Sequence, residues 1–352
     1  MAGRKSSGRS GNGKGVPVKQ RTHDIIVIGA SAGGVEALKE LVGGFPPDLA
    51  ASVFVALHIA PTSPGILPDI LSRCGPLPAV HPKNGEAIQP GRIYVAPPDH
   101  HLTLEPGYIW VTRGPRVNGH RPAVDPLFRA AARAYGPRVV GVVLTGSLDC
   151  GTAGLMSIKA RGGVAVVQDP NEAIASDMPR NAIAHVKVDH ILPLSKIPSL
   201  IARLTREPIS GKEVMAVEIK NMKKRSSITC PECHGSMTES EVNGFIQFQC
   251  HVGHIFSMDG MASAQAEALE AALWAGVRAL EESEDLARRI AQRSERKIGG
   301  RLIEKADAMR VHADLLQKVL LGGDWMLSSD ETHQIRKRDK KERNKVDASR
   351  NL

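Results

Sequence analysis

The first residues in the chain that could do chemistry are a serine and the glycines around it. The segment Gly29-Ala-Ser31-Ala-Gly33 follows the apolar run from Ile25 to Ile28 and precedes apolar residues at helical spacing. A G-x-S-x-G turn between a buried strand and a helix exposes its serine as a nucleophile. Helix amides at such a turn also bind phosphate or nucleotide, although the dinucleotide fingerprint needs a glycine where Ser31 stands. From spacing alone, a nucleophile, a phosphate cradle and a plain tight turn all remain open.

A histidine and a carboxylate follow two other predicted strands. His58 comes at the end of SVFVALH, and Asp149 lies in the loop after RVVGVVLTG. A serine needs a neighbouring base to take its proton, and the base needs an acceptor to orient it. If the strands are parallel neighbours, we expect Ser31, His58 and Asp149 to meet at one edge of the sheet as nucleophile, general base and orienting carboxylate. This chain order differs from the Ser-Asp-His order of the common α/β-hydrolases.

A second cluster has the spacing of metal ligands. Cys230-Pro-Glu-Cys233 is followed by 16 residues and then by Cys250-His251-Val-Gly-His254. Two close ligand pairs on either side of a short hairpin suit tetrahedral Zn²⁺, and four protein ligands leave no open position for catalysis. We therefore predict a structural zinc site formed by Cys230, Cys233, Cys250 and His254, with His251 as the substitute for His254. A disulfide between Cys230 and Cys233 is the alternative.

The elements that position these residues alternate between strand and helix. Their strands are continuous apolar runs, which is typical of parallel sheets covered on both faces. HLTLEPGYIWVT differs, because two alternating stretches flank Pro106-Gly107 and predict an antiparallel hairpin attached to the sheet. The predicted fold class is α/β, a doubly wound, mostly parallel sheet with one antiparallel hairpin, followed by a small zinc-ribbon-like module and a helical C-terminal segment.

The composition changes along the chain predict its domain boundaries. The second of two C-terminal helices, Arg301 to Leu321, carries a stripe of Leu302, Ala306, Met309, Ala313, Leu316 and Leu320, and Gly299-Gly300 are expected to separate it from the first. This stripe favours a helical hairpin, with self-association as the alternative. The predicted parts are a disordered basic tail (1–23), a catalytic domain (24–204), a linker (205–228), the Cys/His module (229–257), the helical hairpin (258–322) and a charged tail (323–352).

Charge and composition exclude several classes of protein. The formal net charge of +9 is the sum of +6 from residues 1–23 and +3 from residues 330–352, so the part of the 352-residue chain between them is neutral and no basic domain for specific nucleic-acid binding is expected. Aromatic residues make up 3% of the chain, too few for a base-stacking surface. No apolar run approaches the roughly 18 residues of a membrane span, and no signal peptide is evident. We expect a cytoplasmic protein without membrane insertion.

Between about Asp24 and Leu200 the chain carries, in this order, the motifs IIVIGASAGGVEAL, ALHIAP, IYVAPPDHHL, GHRPAVDPLF, LTGSLDCGTAGL and DMPRNAI. With these motifs the span resembles the catalytic domain of the chemotaxis protein-glutamate methylesterases. Members of that family hydrolyse γ-methyl-glutamyl esters on chemoreceptors and can deamidate receptor glutamines, without a cofactor. The resemblance implies that Ser31 is the nucleophile, that His58 is the base and that the Ser147 amide helps to bind the oxyanion. A methylated chemoreceptor-like protein is then the expected partner.

The sequence departs from that family at the triad carboxylate. The family's aspartate directly precedes the glycine before TAGL, where this chain has Cys150, with Asp149 one residue earlier. A thiol accepts hydrogen bonds poorly, and loss of the carboxylate can slow a triad by about 10⁴. Either Asp149 orients His58, or the enzyme is slow, or the chain is a signalling adaptor that binds receptor helices without turnover. We expect retained but reduced esterase activity.

Two further expectations concern substrate binding and regulation. Arg121 is the preferred substrate contact, because a cation near the cleft suits the acidic flanks of a receptor glutamate. The neighbouring His100, His101 and His120 could also line the cleft, or face solvent. Only 23 residues precede the first predicted strand, so we expect no control by the N-terminal receiver domain that many relatives carry.

Overall fold

A computed structural model of the chain describes residues 22–209, 224–242 and 244–322. The predicted tails lie almost entirely outside these residues, and so does most of the predicted 205–228 linker. The part nearer the N-terminus is an α/β domain built from continuous apolar strands, of which β1, β2 and β8 are buried along their whole length.

The strands of this domain are β1 (Ile25–Ala30), β2 (Ser52–Leu57), β3 (Ala79–Val80), β4 (Glu86–Ala87), β5 (Ile93–Val95), β6 (His101–Glu105), β7 (Tyr108–Thr112), β8 (Val139–Val143), β9 (Val164–Gln168) and β10 (His190–Leu192). Its helices are α1 (Gly34–Gly43), α2 (Leu67–Cys74), α3 (Val124–Tyr135), α4 (Thr152–Ala160), α5 (Asp177–His185) and α6 (Ile197–Leu204).

Seven of these strands form one parallel sheet in the order β10-β9-β8-β1-β2-β5-β3. One apolar core joins the sheet to α1, α2 and α6, and a second core on the opposite face joins it to α3, α4 and α5. The sheet is therefore doubly wound, as expected. The chain leaves β1 for β2 on one side and returns to β8 on the other, so the switch point lies beside β1.

The predicted hairpin is present, but it is not attached to the parallel sheet. β6 and β7 pair in antiparallel fashion, and β7 also pairs with the short β4, which makes a separate sheet in the order β4-β7-β6. Its inner residues Leu102, Leu104 and Ile109 are buried in the same core as α3, whereas Tyr108 and Trp110 face outward. The alternation of apolar and polar residues in β6 and β7 therefore gives the small sheet one apolar face, which covers the core around α3. The small sheet lies over α3 and does not extend the main sheet.

The C-terminal part combines a small antiparallel sheet with two long helices. The sheet has the order β11 (Lys224–Thr229), β12 (Ser236–Val242), β13 (Phe245–Cys250) and β14 (Ile255–Ser257). β11 begins at Lys224, within the segment predicted to be linker. The helices are α7 (Met258–Ala291) and α8 (Arg296–Gly322), and the predicted apolar stripe of α8 is its least exposed face.

The glycine pair does not separate the two helices, contrary to expectation. The break falls at residues 292–295, and Gly299 and Gly300 lie in the first turns of α8. A Cβ on Gly299 would come within 2.9 Å of the carbonyl oxygen of Ala291 in α7. The glycine is therefore explained by the close approach of two helices, and a single glycine costs a helix only about 1 kcal/mol. Within the described residues, no helix has the length and apolarity to cross a membrane.

Candidate active site and metal centre

Ser31 lies in the tight turn between β1 and α1, at the switch point of the sheet. Its amide donates to the Thr145 carbonyl in the loop after β8, at 3.0 Å, which ties the serine to the neighbouring strand end. Gly33 adopts a φ of 74°, the left-handed region that favours glycine. Gly146 passes so close that a Cβ there would be 2.8 Å from the Cβ of Ser31. The glycines are thus required for the turn and for the approach of the second loop.

An open cleft of about 470 Å³ lies in front of Ser31. Its volume is that of a typical small-ligand cleft. The cleft brings together three of the predicted residues, Ser31, His58 and Arg121. It is also lined by Arg116 and His120, which come from the loop between β7 and α3.

His58 follows β2 and is held by its backbone, because its amide donates to the Ala30 carbonyl at 3.1 Å. Its ring stacks on that of His120, with 3.9 Å between centroids and 17° between planes. Neither ring nitrogen of His58 is accessible to water or has a hydrogen-bond partner. Burial lowers the pKa of His58 well below its usual value, and His120 and His101 lower it further. A neutral imidazole is therefore the stable form.

The loop after β8 carries the other predicted site residues, and none of them lines the cleft. Ser147 is exposed, and it directly follows Gly146, the residue whose backbone passes close to Ser31. Asp149 is buried, and its Oδ1 accepts a hydrogen bond of 2.5 Å from the hydroxyl of Ser257. The Asp149 carboxylate therefore binds Ser257, which belongs to the C-terminal part of the chain, and it makes no hydrogen bond to His58.

Cys150 is buried against the first turn of α3. Burial raises the pKa of its thiol strongly, and the nearby Asp125 carboxylate adds to the shift, although backbone hydrogen bonds at Asp125 and Val124 oppose it. The group at this position is therefore uncharged at neutral pH. The same backbone donors at the start of α3 would suit a carboxylate better than a thiol.

Arg121 lines the cleft with a guanidinium that is already engaged. Its Nε and Nη2 donate to Oδ1 of Asp99 at 2.9 and 2.6 Å, and its Nη1 donates to the Gly114 carbonyl at 2.8 Å. Arg113 contacts the other oxygen of Asp99. Arg116 is more exposed, and its ion pair with Glu232 is long at 3.5 Å. Of the two cleft arginines, Arg116 has the more available charge.

The four predicted zinc ligands converge in the C-terminal part. The donor atoms of Cys230, Cys233, Cys250 and His254 all lie within 4.8 Å of one another. The sulfurs of Cys233 and Cys250 are 3.6 Å apart, and His254 Nδ1 is 3.5 Å from the Cys250 sulfur. Ligands at a Zn–S distance of about 2.3 Å around a tetrahedral ion lie about 3.8 Å apart, so the donor set fits this metal.

Two observations favour one of the alternatives for this cluster. The His254 ring faces the sulfurs, whereas the exposed His251 packs near Gly235 outside the donor set. All five cysteines are free, so no disulfide joins Cys230 to Cys233. The residues thus have the arrangement expected of a structural ribbon.

Sequence reasoning singled out neither Arg116 nor the pair Asn118 and Ser257. Oδ1 of Asn118 accepts from the Ser257 amide at 2.8 Å. Ser257 also caps α7, since its hydroxyl accepts from the Gly260 amide. A serine just before a long helix is a readable N-cap signal, but its bonds to residues more than 100 positions away leave no mark in local sequence.

These features define an α/β protein whose candidate nucleophile lies at the switch point of a parallel sheet, with a histidine from the next strand beside it. Residues 26–201, half of the chain, match the CheB methylesterase family, and the chain belongs to this family.

Several known proteins are similar to this part of the chain. A Ralstonia nicotianae protein-glutamate methylesterase/protein-glutamine glutaminase is 41% identical over 203 residues, which cover 54% of this chain and 52% of the relative. A Leptospira interrogans protein provisionally given the same name is 39% identical over 183 residues, 52% of this chain and 95% of that protein. Apart from such short relatives, the chain spans about half the length of the curated proteins it matches.

A solved structure supports the same assignment. The crystal structure of the Thermotoga maritima CheB methylesterase catalytic domain is 31% identical, covers 51% of this chain and 98% of its own, and superposes with a TM-score of 0.50. The coverage agrees with the family match over residues 26–201, which is the α/β domain.

The environment of His58 predicts its titration. We expect the imidazole to stay neutral at pH 6.5 and to bind a proton only well below it, because burial penalises the cation. The folded pKa is below the unfolded one, so this histidine costs stability only as the pH falls below about 6.5, where the unfolded chain takes up the proton first. NMR titration of the histidine ring nitrogens, with His58→Gln for assignment, measures this pKa. Protonation of His58 near pH 6.5 would contradict the analysis.

Proposed function

We propose that the chain is a protein-glutamate methylesterase that hydrolyses γ-methyl-glutamyl esters on a chemoreceptor-like protein. The observation that carries this proposal is the placement of Ser31 and His58 on one open cleft, within the segment that matches the family. The names of the relatives also include a glutaminase activity, which would use the same acyl-enzyme route with ammonia as the leaving group. We include glutamine deamidation in the proposal as a second reaction of this cleft.

Ser31 would attack the ester carbonyl while His58 takes its hydroxyl proton. The new Ser31 Oγ–carbon bond gives a tetrahedral intermediate, and the bond to the methoxy group then breaks. His58 returns the proton to the departing oxygen, so methanol leaves and an acyl-serine remains. Water next attacks the acyl carbon, His58 takes the water's proton and passes it to Ser31, and the glutamate carboxylate is released. Catalysis needs no cofactor in this scheme.

Two features support this route although Ser31 and His58 share no hydrogen bond in the free enzyme. Catalytic hydrogen bonds are often long before substrate binds and tighten only in the complex. Gly146 lets the loop after β8 pass against Ser31, and Ser147 is the next residue of that loop, so its amide is the candidate donor to an oxyanion formed at Ser31. We therefore assign Ser147 to the oxyanion site through its backbone.

We further propose that turnover is weakened by Cys150. A carboxylate beside the base stabilises the imidazolium that forms in each step, and a neutral thiol does not. Neither ring nitrogen of His58 has a hydrogen-bond partner, and the Asp149 carboxylate accepts from Ser257 instead, so Asp149 does not replace the missing carboxylate beside His58. The competing function is a signalling adaptor that holds a receptor helix in the cleft without turnover. The same two observations favour it, and the variants below separate the two.

For substrate binding, the charges of the cleft favour a partner with acidic flanks. Arg121 lines the cleft, but three of its five N–H donors already bond to Asp99 and to the Gly114 carbonyl. Arg116 lines the same cleft with a long and replaceable ion pair. We propose that Arg121 shapes the cleft and that Arg116 makes the ionic contact with the substrate.

In the C-terminal part we propose a structural zinc ion. Cys230, Cys233, Cys250 and His254 would hold it, and with four protein ligands it would stabilise the small sheet and leave the ester chemistry to Ser31. Self-association through α7 and α8 remains a prediction. It draws support from the exposed side chains of Leu269, Trp274 and Leu315 on these helices.

Methanol release from a methylated receptor fragment tests the esterase proposal. We expect slow release by the natural chain, no release above background by Ser31→Ala, and at least a tenfold higher kcat for Cys150→Asp, because a carboxylate there would stabilise the imidazolium. The same variant should move the acid limb of the pH–rate profile to higher pH, since a nearby anion raises the pKa of a histidine. The matched control, Cys150→Ser, should stay within about twofold of the natural chain.

Two outcomes would contradict parts of this proposal. Equal release by the natural chain and by Ser31→Ala would rule out the serine mechanism. Release by Cys150→Asp alone would contradict turnover by the natural chain and favour the adaptor.

A second variant tests the assignment of Arg116. We expect Arg116→Ala to raise KM about fivefold for a peptide ester with acidic flanks, with little change in kcat, as for the loss of an exposed ion pair of about 1 kcal/mol. A peptide with neutral flanks should show no such change. Arg133→Ala, which removes an exposed arginine outside the cleft lining, is the control. An unchanged KM for the acidic peptide would contradict the assignment.

Metal analysis tests the zinc proposal. We expect the purified full chain to hold one Zn²⁺ per molecule, and Cys250→Ser to hold much less because a thiolate ligand is lost. Cys74→Ser changes a cysteine outside the cluster and should keep the full zinc content. Equal zinc content in Cys250→Ser and the natural chain would disprove the ligand set.

A further inference from the structure

The zinc-ribbon-like part is joined directly to the loop that lines the cleft. We call residues 115–121 the cleft loop, since its later residues and Arg116 form one wall of the cleft. The Asn118 amide donates to the Ile255 carbonyl at 2.7 Å, and the Ile255 amide donates to the Arg116 carbonyl at 3.3 Å. Val117 and Ile255 thus form a parallel bridge, by which the cleft loop extends the small sheet beyond β14.

A buried group of polar side chains fixes the end of this bridge. The Ser257 hydroxyl has one proton to donate, and it lies 2.5 Å from Oδ1 of Asp149 against 3.4 Å from Oδ1 of Asn118. The hydroxyl therefore donates to Asp149 and accepts from the Gly260 amide, while the Ser257 amide donates to Asn118. Asn118, Asp149 and Ser257 are 8%, 2% and 1% exposed, so water does not compete for these bonds.

The position of Ser257 depends on the metal ligands. His254 lies three residues before it, and the His254 carbonyl accepts from the amide of Cys250 at 3.1 Å. The turn that brings Cys250 and His254 together therefore also sets where β14 begins. The other ligand pair reaches the same loop, because Glu232, between Cys230 and Cys233, pairs with Arg116.

Two further contacts hold the two parts together away from the cleft. Arg129 in α3 donates to the Gln247 side chain at 2.8 Å, and the His185 ring packs edge-on against Phe245. These contacts lie on β13. The hydrogen bonds of Ile255 in β14 reach the cleft loop. Those of Ser257 reach both the cleft loop, at Asn118, and the loop after β8, at Asp149.

We propose that Asn118 and Ser257 are positioning residues through which the metal-bound ribbon holds the esterase cleft in its working shape. The inference rests on the proposed esterase function for its kinetic part. Loss of the metal, or of the Ser257 donor, releases the cleft loop with His120 and frees the segment that carries Ser147 and Asp149. Asp149, next to the missing triad carboxylate, thus has a defined task as the acceptor that locks the ribbon to the active-site loop.

Variants at Ser257 separate this task from simple capping of α7. Aspartate caps helices as well as serine does, but it cannot donate to Asp149 and repels it. Threonine keeps both the cap and the donor. Ser257→Ala and Ser257→Asp should therefore lower kcat for methanol release at least tenfold with KM within twofold. Ser257→Thr and the control Ser283→Ala, at an exposed position of α7, should remain within twofold of the natural chain.

Hydrogen exchange supplies a readout that does not depend on turnover. In Ser257→Asp we expect the Asn118 and Ile255 amides to exchange at least tenfold faster, while the amides of β1 keep their protection and report that the catalytic domain is folded. Metal-free full chain, prepared by dialysis against a chelator, should show the same acceleration. Added Zn²⁺ alone should reverse it in the natural chain and leave Ser257→Asp unchanged.

The outcomes distinguish this inference from the proposed function. Unchanged exchange at Asn118 in both Ser257→Asp and the metal-free chain would overturn the inference, whatever the esterase rate. A Ser257→Asp kcat within twofold of an active natural chain would also overturn it. If the natural chain releases no methanol but the exchange of Asn118 follows the metal and Ser257, the proposed function fails while the coupling between ribbon and cleft loop stands.

Discussion

Parallel pairing of β1 with β2 on one side and β8 on the other is the constraint on which the rest of the structure depends. It brings three strand ends to one edge of the sheet, where Ser31, His58 and the loop from Thr145 to Cys150 emerge as neighbours. The backbone bonds from Ser31 to Thr145 and from His58 to Ala30 continue these ladders past the last paired residues. The position of the cleft is therefore a consequence of strand order. The side chains that line it can vary while this backbone frame of three strand ends is kept.

That frame could be predicted from the sequence because its causes are local. Unbroken apolar strands, glycine turns and helical spacing each leave a mark within about ten residues. The convergence of Cys230, Cys233, Cys250 and His254 was equally readable, since each pair is set by a short turn. The hairpin β6–β7 could also be predicted, but its position in the fold could not. Only tertiary packing decides whether its apolar face covers α3 or its edge strand pairs with the main sheet.

What local sequence could not predict are contacts between distant segments. The stack of His58 on His120 joins residues 62 positions apart, and in this buried position neither ring nitrogen of His58 has a hydrogen-bond partner. The orientation of Asp149 depends on Ser257, 108 positions later. Gly299 was misread for the same reason, because a glycine in a helix looks like a break until the partner helix that approaches it is known. Long-range packing thus accounts for each difference between expectation and structure.

The length of α7 gives the hairpin a definite reach. Its 34 residues at 1.5 Å each make a rod of about 51 Å that starts at the Ser257 cap. Because α8 packs back along it, with ion pairs such as Arg288 to Asp307, the rod is braced over most of its length. The turn between α7 and α8 therefore lies far from the Ser257 cap, at a distance that is fixed by the number of residues in α7. A helical partner that lay parallel to α7 would have the same rise per residue. Its residues at the turn and at the cap would therefore be about 34 positions apart in its own sequence.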